Sequence, residues 1–288
     1  MKITEWLKSK PLMIDGAMGT MLFDAGLAPG KAPDEWNLLH PDVVTGIHTA
    51  YAEAGANLLL SNTFGTNALR LKNSVYSVEE IAAAGVRLAK AAAMRAKQPC
   101  YAALDVGPLG KMMKPYGELS IDEAEALFTP SIRAGAAEGA DCVLIETMGD
   151  LNEVTAAVRA AKKLTQLPVF VTLTFGKTRR LFSGSTVRQS VETLEALGVD
   201  ALGSNCGIGP EQMLDLLPEF VSLTKLPILM KPNAGLPKLD DDGNTYYDMQ
   251  PDVFAAQMRS VLLGGAAGIG GCCGTTPAHI RAMTALCQ

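Results

Sequence analysis

The chain has 288 residues, 48% hydrophobic and 19% charged, which supports a large packed core and excludes a disordered chain. A formal net charge of −5 gives no electrostatic reason to expect nucleic acid or an anionic membrane surface as a partner. No apolar run reaches the roughly 18 residues that a membrane span needs, and MKITEWLKSKPLMIDG lacks the apolar stretch of a signal peptide, so the cytoplasm is the expected location.

Short apolar runs alternate with longer helical patterns along the chain. The runs are PLMIDG (11–16), NLLLSNTF (57–64), CYAALDVG (100–107), DCVLIET (141–147), PVFVTLTF (168–175), ALGSNC (201–206), PILMKPN (227–233) and GIGGCC (268–273). Most end in a polar or glycine-bearing segment, as strands buried on both faces do. The first helix pattern, 41–54, puts Val44, Ile47, His48 and Tyr51 on one stripe. Residues 78–97 are rich in alanine and leucine, and Ser120 with Glu123 forms a capping box opening the next helix. Further helices are predicted over 151–165, 187–197, 210–223, 251–263 and 277–287, with Pro210, Pro251 and Pro277 in first-turn positions. Glycines at 55, 139 and 198 stand where a helix ends before the next strand.

Eight such units predict a single α/β domain over 1–288, a (β/α)8 TIM barrel. A doubly wound sheet is the alternative, but DGAMGT (15–20) is not the glycine fingerprint of a dinucleotide site. In a barrel, chemistry belongs at the C-terminal ends of the strands. There the sequence places Asp15, Asn62, Thr63, Asp105, Glu146, Thr147, Thr174, Asn205, Cys206, Asn233, Cys272 and Cys273.

Of the six cysteines, Cys100 and Cys142 open apolar runs and read as small hydrophobes, and Cys287 near the chain end reads as incidental. Cys206 ends the sixth run, while Cys272 and Cys273 end the eighth, so the three share one rim of the barrel. Three thiolates suit zinc and leave a fourth position open, the form of a catalytic site. A vicinal disulfide, a redox dithiol and inert packing are the other readings. Zinc on three thiolates has a net charge of −1, which is poor for activating water. It does keep a bound substrate thiol deprotonated and electron-rich, which is suited to alkylating sulfur. A non-catalytic zinc-binding or redox barrel is the reading from another class.

The segments DGAMGT (15–20), SNTFGTN (61–67), DVGPLG (105–110), IETM (145–148), SNCGIGP (204–210), KPNAGLP (231–237) and GGCCGTTP (270–277) together resemble the homocysteine S-methyltransferase family over nearly the whole chain. That resemblance implies zinc on Cys206, Cys272 and Cys273, and conversion of homocysteine to methionine through a zinc-held thiolate. It also implies that Asp15 and Glu146 hold the substrate ammonium, and that backbone amides of Gly16, Ala17, Met18 and Gly19 receive its carboxylate. Asn233 is implied as a fourth ligand or substrate contact. For Asp15, a plain turn residue before Gly16 is the competing reading.

Residues 37–64 most resemble the homocysteine-binding module of cobalamin-dependent methionine synthase. Methylcobalamin on a separate corrinoid protein or module is therefore the expected donor. The folate, cobalamin and reactivation modules have no counterpart here, so the expectation is an excised module or a stand-alone subunit. The alternative is a small onium donor, betaine-like or S-methylmethionine, with Tyr116, Trp36 and Phe64 as aromatics for a cation–π contact. His40, His48 and His279 fall on or beside predicted helices, and none is assigned to the metal.

Overall fold

In the computed structural model, residues 1–239 and 245–287 are described, the side chain of Cys287 excepted. The apolar runs become parallel strands: β1 (Leu12–Met13), β2 (Leu58–Leu60), β3 (Tyr101–Val106), β4 (Cys142–Met148), β5 (Val169–Leu173), β6 (Ala201–Asn205), β7 (Ile228–Lys231) and β10 (Gly268–Ile269). Between β7 and β10 a small antiparallel ribbon, β8 (Lys238–Leu239) with β9 (Thr245–Tyr246), rises from a loop. The eight-stranded sheet runs β1-β10-β7-β6-β5-β4-β3-β2, and a parallel bridge between Ile14 and Leu58 joins its two ends. This is the expected (β/α)8 barrel.

The helices fall where the periodicity put them. Pro41–Glu53 buries Val44, Ile47, His48 and Tyr51. Ile121–Ala137 opens with the Ser120–Glu123 box, and Val78–Arg95 opens with a second box from Ser77 and Glu80. Gly55, Gly139 and Gly198 adopt the left-handed conformation that ends a helix. The short helices Ile3–Trp6, Met18–Asp24 and Trp36–Leu39 lie outside the predicted elements. They are too short to show a period.

Two apolar cores follow from strand alternation. Leu12, Ile14, Leu58, Leu60, Tyr101, Ala103, Cys142, Leu144, Phe170, Ala201 and Leu229 fill the barrel interior. The opposite strand faces pack against the helices in a larger cluster. Cys142 is thus the small interior hydrophobe its run suggested. Counting two residues further along the inward rows gives Asp105 on β3, Glu146 on β4 and Lys231 on β7. The inward layer at the C-terminal end of the barrel is therefore charged, and it forms the floor of the site.

Candidate active site

A cavity of about 610 Å³ opens at the C-terminal ends of the strands. Its walls include Gly16–Thr20, Asn62, Phe64, Asp105, Glu146, Thr147, Cys206, Lys231, Cys272 and Cys273.

The three sulfurs come together because both segments carrying them turn sharply. Cys206 has φ of 58° and is followed by Gly207 at 69°. Its amide donates to the Lys231 carbonyl at 3.0 Å, which fixes the turn to β7. The Cys272 amide donates to the Pro232 carbonyl at 2.8 Å, and the Cys273 carbonyl accepts from Ala234 at 2.9 Å. β7 is thus the template for both cysteine segments.

All three cysteines are free thiols whose Sγ atoms lie within 4.8 Å of one another. Cys206 Sγ and Cys273 Sγ lie 3.8 Å apart. Hydrogen bonds from Cys206 and Cys272 hold the Cys273 thiol low, while the bonds to Cys272 and Cys273 push Cys206 up. Three soft donors sharing protons at a cavity wall fit a thiophilic metal ion.

Tyr247, from the loop after β9, also reaches Cys273. Gly274 makes room for it, since a Cβ there would lie 2.4 Å from the Tyr247 side chain.

β4 ends in an irregularity that aims Glu146. Its register against β5 shifts between Ile145 and Met148, and Thr147 sits at φ of 61°, costly for a β-branched residue. Asn205 holds this backbone. Its Oδ1 accepts from the Thr147 amide and its Nδ2 donates to Thr147 Oγ1, both at 2.8 Å. The same Nδ2 lies 3.8 Å from Cys272 Sγ, so one amide side chain connects the Glu146 bulge to the thiols.

Glu146 is not an isolated carboxylate. Lys231 Nζ donates to its Oε2 at 2.5 Å, with the two side chains 2% and 10% exposed. Removing one partner of such a buried pair costs about 3–5 kcal/mol, because the other charge is stranded. Burial alone pushes Lys231 down, but Glu146, Cys272, Asp15 and Asp105 together outweigh it and keep the lysine charged. Burial pushes Asp105 well up, with Glu146 adding to it, and pushes Asp15 up to about 8. Asp105 Oδ1 and Asp15 Oδ1 are buried without a hydrogen-bond partner among the described residues.

Several expected residues have other placements. Asp15 is not among the residues lining the cavity; its Oδ2 accepts from the Leu60 amide at 2.8 Å across the barrel seam. Gly16, Ala17, Met18 and Gly19 do line the cavity, but the Ala17 amide donates to Thr275 Oγ1 at 3.1 Å. Asn233 is 2% exposed with an unpartnered Oδ1 and lies off the cavity wall.

The aromatics do not converge. Tyr116 is 73% exposed, and Trp36 packs against the tilted ring of His40, with 4.3 Å between centroids. Phe64 lines the cavity but already has the Arg70 guanidinium over its ring at 5.8 Å. His279 ties Thr276 to the Met249 carbonyl and is remote from metal duty. Lys231 and Tyr247 are the site's unanticipated members, and of the two only Lys231 had a legible signal, its inward row on β7; Asn205 was placed at its strand end, but without its contacts to Thr147 and Cys272.

Fold and site together define the class: a (β/α)8 barrel with three cysteine thiols gathered on the wall of the cavity at the C-terminal ends of its strands. A family model described as homocysteine S-methyltransferase matches residues 12–287. Methionine synthase of Mycobacterium leprae (strain TN) is 34% identical, covering 98% of this chain, and that of Mycobacterium tuberculosis is 32% identical, covering 97%. The chain spans 25% of the length of each of these relatives. Among solved structures, the oxidized form of the Escherichia coli homocysteine methyltransferase MmuM aligns with a TM-score of 0.84 at 25% identity, covering 97% of both chains. The chain belongs to the homocysteine S-methyltransferase family.

Proposed function

We propose that this chain transfers a methyl group to the sulfur of homocysteine, giving methionine. The carrying observation is the convergence of three thiols and a carboxylate-lined floor on one cavity. Cys206, Cys272 and Cys273 would hold zinc, with Asn233 a candidate fourth contact. Zinc bound there supplies a Lewis acid that keeps a thiol deprotonated at neutral pH. Glu146, with Asp15 behind it, receives the substrate ammonium. The amides of Met18 and Gly19, in the first turn of a helix and so without intrahelical acceptors, receive its carboxylate. The sulfur lone pair forms the new bond to the methyl carbon, the carrier leaves with the electron pair of the broken bond, and the thiol proton goes to solvent.

For the donor we favour methylcobalamin on a corrinoid module or protein. The support is the similarity to methionine synthases and the separate placements of Tyr116, Trp36 and Phe64, the aromatics an onium group was expected to use.

Purified under reducing conditions, the protein should carry about one zinc per chain, lost in Cys206→Ser. With methylcobalamin and homocysteine it should form methionine. Metal-free protein with a reducible dithiol would overturn the zinc reading. Turnover of betaine or S-methylmethionine in place of methylcobalamin would overturn the donor.

A further inference from the structure

Three cations line the cavity, and they differ in kind. Lys31 and Arg70 are exposed, whereas Lys231 is buried at the floor. Its Nζ has one hydrogen-bond acceptor among the described residues, Glu146 Oε2, although an ammonium carries three donors. Asp15, Asp105 and Cys272 are all near enough to act on it electrostatically. Without this lysine the floor would hold carboxylates alone. It would attract an ammonium but repel the carboxylate that an amino acid brings with it.

We propose that Lys231 is a specificity-determining residue: its charge and spare donors make the pocket prefer a ligand bearing both ammonium and carboxylate over the same amine without the carboxylate. This rests on the reading of the cavity as an amino-acid thiol site. The lysine offsets Glu146, one of the two floor carboxyl groups, and leaves the pocket with a positive centre beside a negative one, matched to a zwitterion. A lysine that only neutralised Glu146 for the sake of folding would have no such effect on ligand choice.

The test is equilibrium binding of methionine and of 3-(methylthio)propylamine, its decarboxylated analogue, to the full chain under reducing conditions. Neither thioether requires a metal. The wild-type protein should prefer methionine, and Lys231→Met should cut that preference by about tenfold. Glu146→Gln, which keeps a hydrogen-bond acceptor for Lys231 but removes its counter-charge, should weaken both ligands and shift the preference the other way. Should Lys231→Met fail to fold, the direction of the Glu146→Gln shift decides alone. A preference unchanged within about twofold in every soluble variant overturns the role of Lys231 and leaves the amino-acid site standing. Wild-type protein that binds neither ligand overturns both.

Discussion

Asn205 at the end of β6 holds a strained threonine, steadies the carboxylate bulge and touches a thiol. The left-handed conformation of Thr147 costs on the order of 1–3 kcal/mol and persists only because its surroundings over-determine it. Asn205→Ala removes both hydrogen bonds to Thr147 and should lower stability by about 1–3 kcal/mol, read from the urea midpoint at unchanged m. Thr147→Gly removes the conformational cost and keeps the amide hydrogen bond, so it should leave the midpoint unchanged or raise it. Little of this was legible beforehand. An S-N-C run at a strand end marks the thiol, but nothing in it says that the asparagine reaches back to β4. Lys231 was more legible than it looked, because inward Leu229 two residues earlier fixes its side.

At the scale of elements, the helix Pro41–Glu53 carries a group that ties stability to acidity. His48 is fully buried on its inner stripe, and neither ring nitrogen has a hydrogen-bond partner among the described residues. Burial lowers its pKa from 6.5 to about 4. The unfolded chain therefore takes up a proton on this ring at a higher pH than the native one does. Stability is full above about pH 6.5 and falls as the pH drops toward 4. Between pH 7 and pH 5 the loss through this residue is on the order of 2 kcal/mol. His48→Leu should show a smaller drop in urea midpoint between those two pH values. The stripe containing His48 was readable from helical period, as were the capping boxes and helix-ending glycines. The ribbon of β8 and β9 was not, since two-residue strands carry no pattern. With it went Tyr247, which reaches the thiols only because that loop folds back over Gly274.

For the whole molecule, the eight-unit count made the barrel legible, but not where it closes. Between β1 and β2 the ladder shrinks to a single bridge, and Asp15 supplements it. Its amide donates to Leu58, its carboxylate accepts from Leu60, and its carbonyl accepts from Gly271 on the other side. The aspartate expected at the substrate is first a tie across the seam. Asp15→Ala should speed amide hydrogen exchange at Leu60 while leaving the β4–β5 amides protected, measured by mass spectrometry.

The three thiols stand on strands that flank β7, and the chain between Cys206 and Cys272 includes the helix Pro210–Leu223, β7 itself and the helix Pro251–Leu263. A chelate of neighbouring cysteines, as in a zinc finger, grips its ion early and lets the fold grow around it. Here the three sulfurs meet only when β6, β7 and β10 lie side by side. An ion gripped by all three sulfurs would therefore report that this part of the barrel is assembled. A chain stalled with β7 undocked would leave Cys206 apart from the adjacent Cys272 and Cys273, and a weakened metal affinity would report the defect.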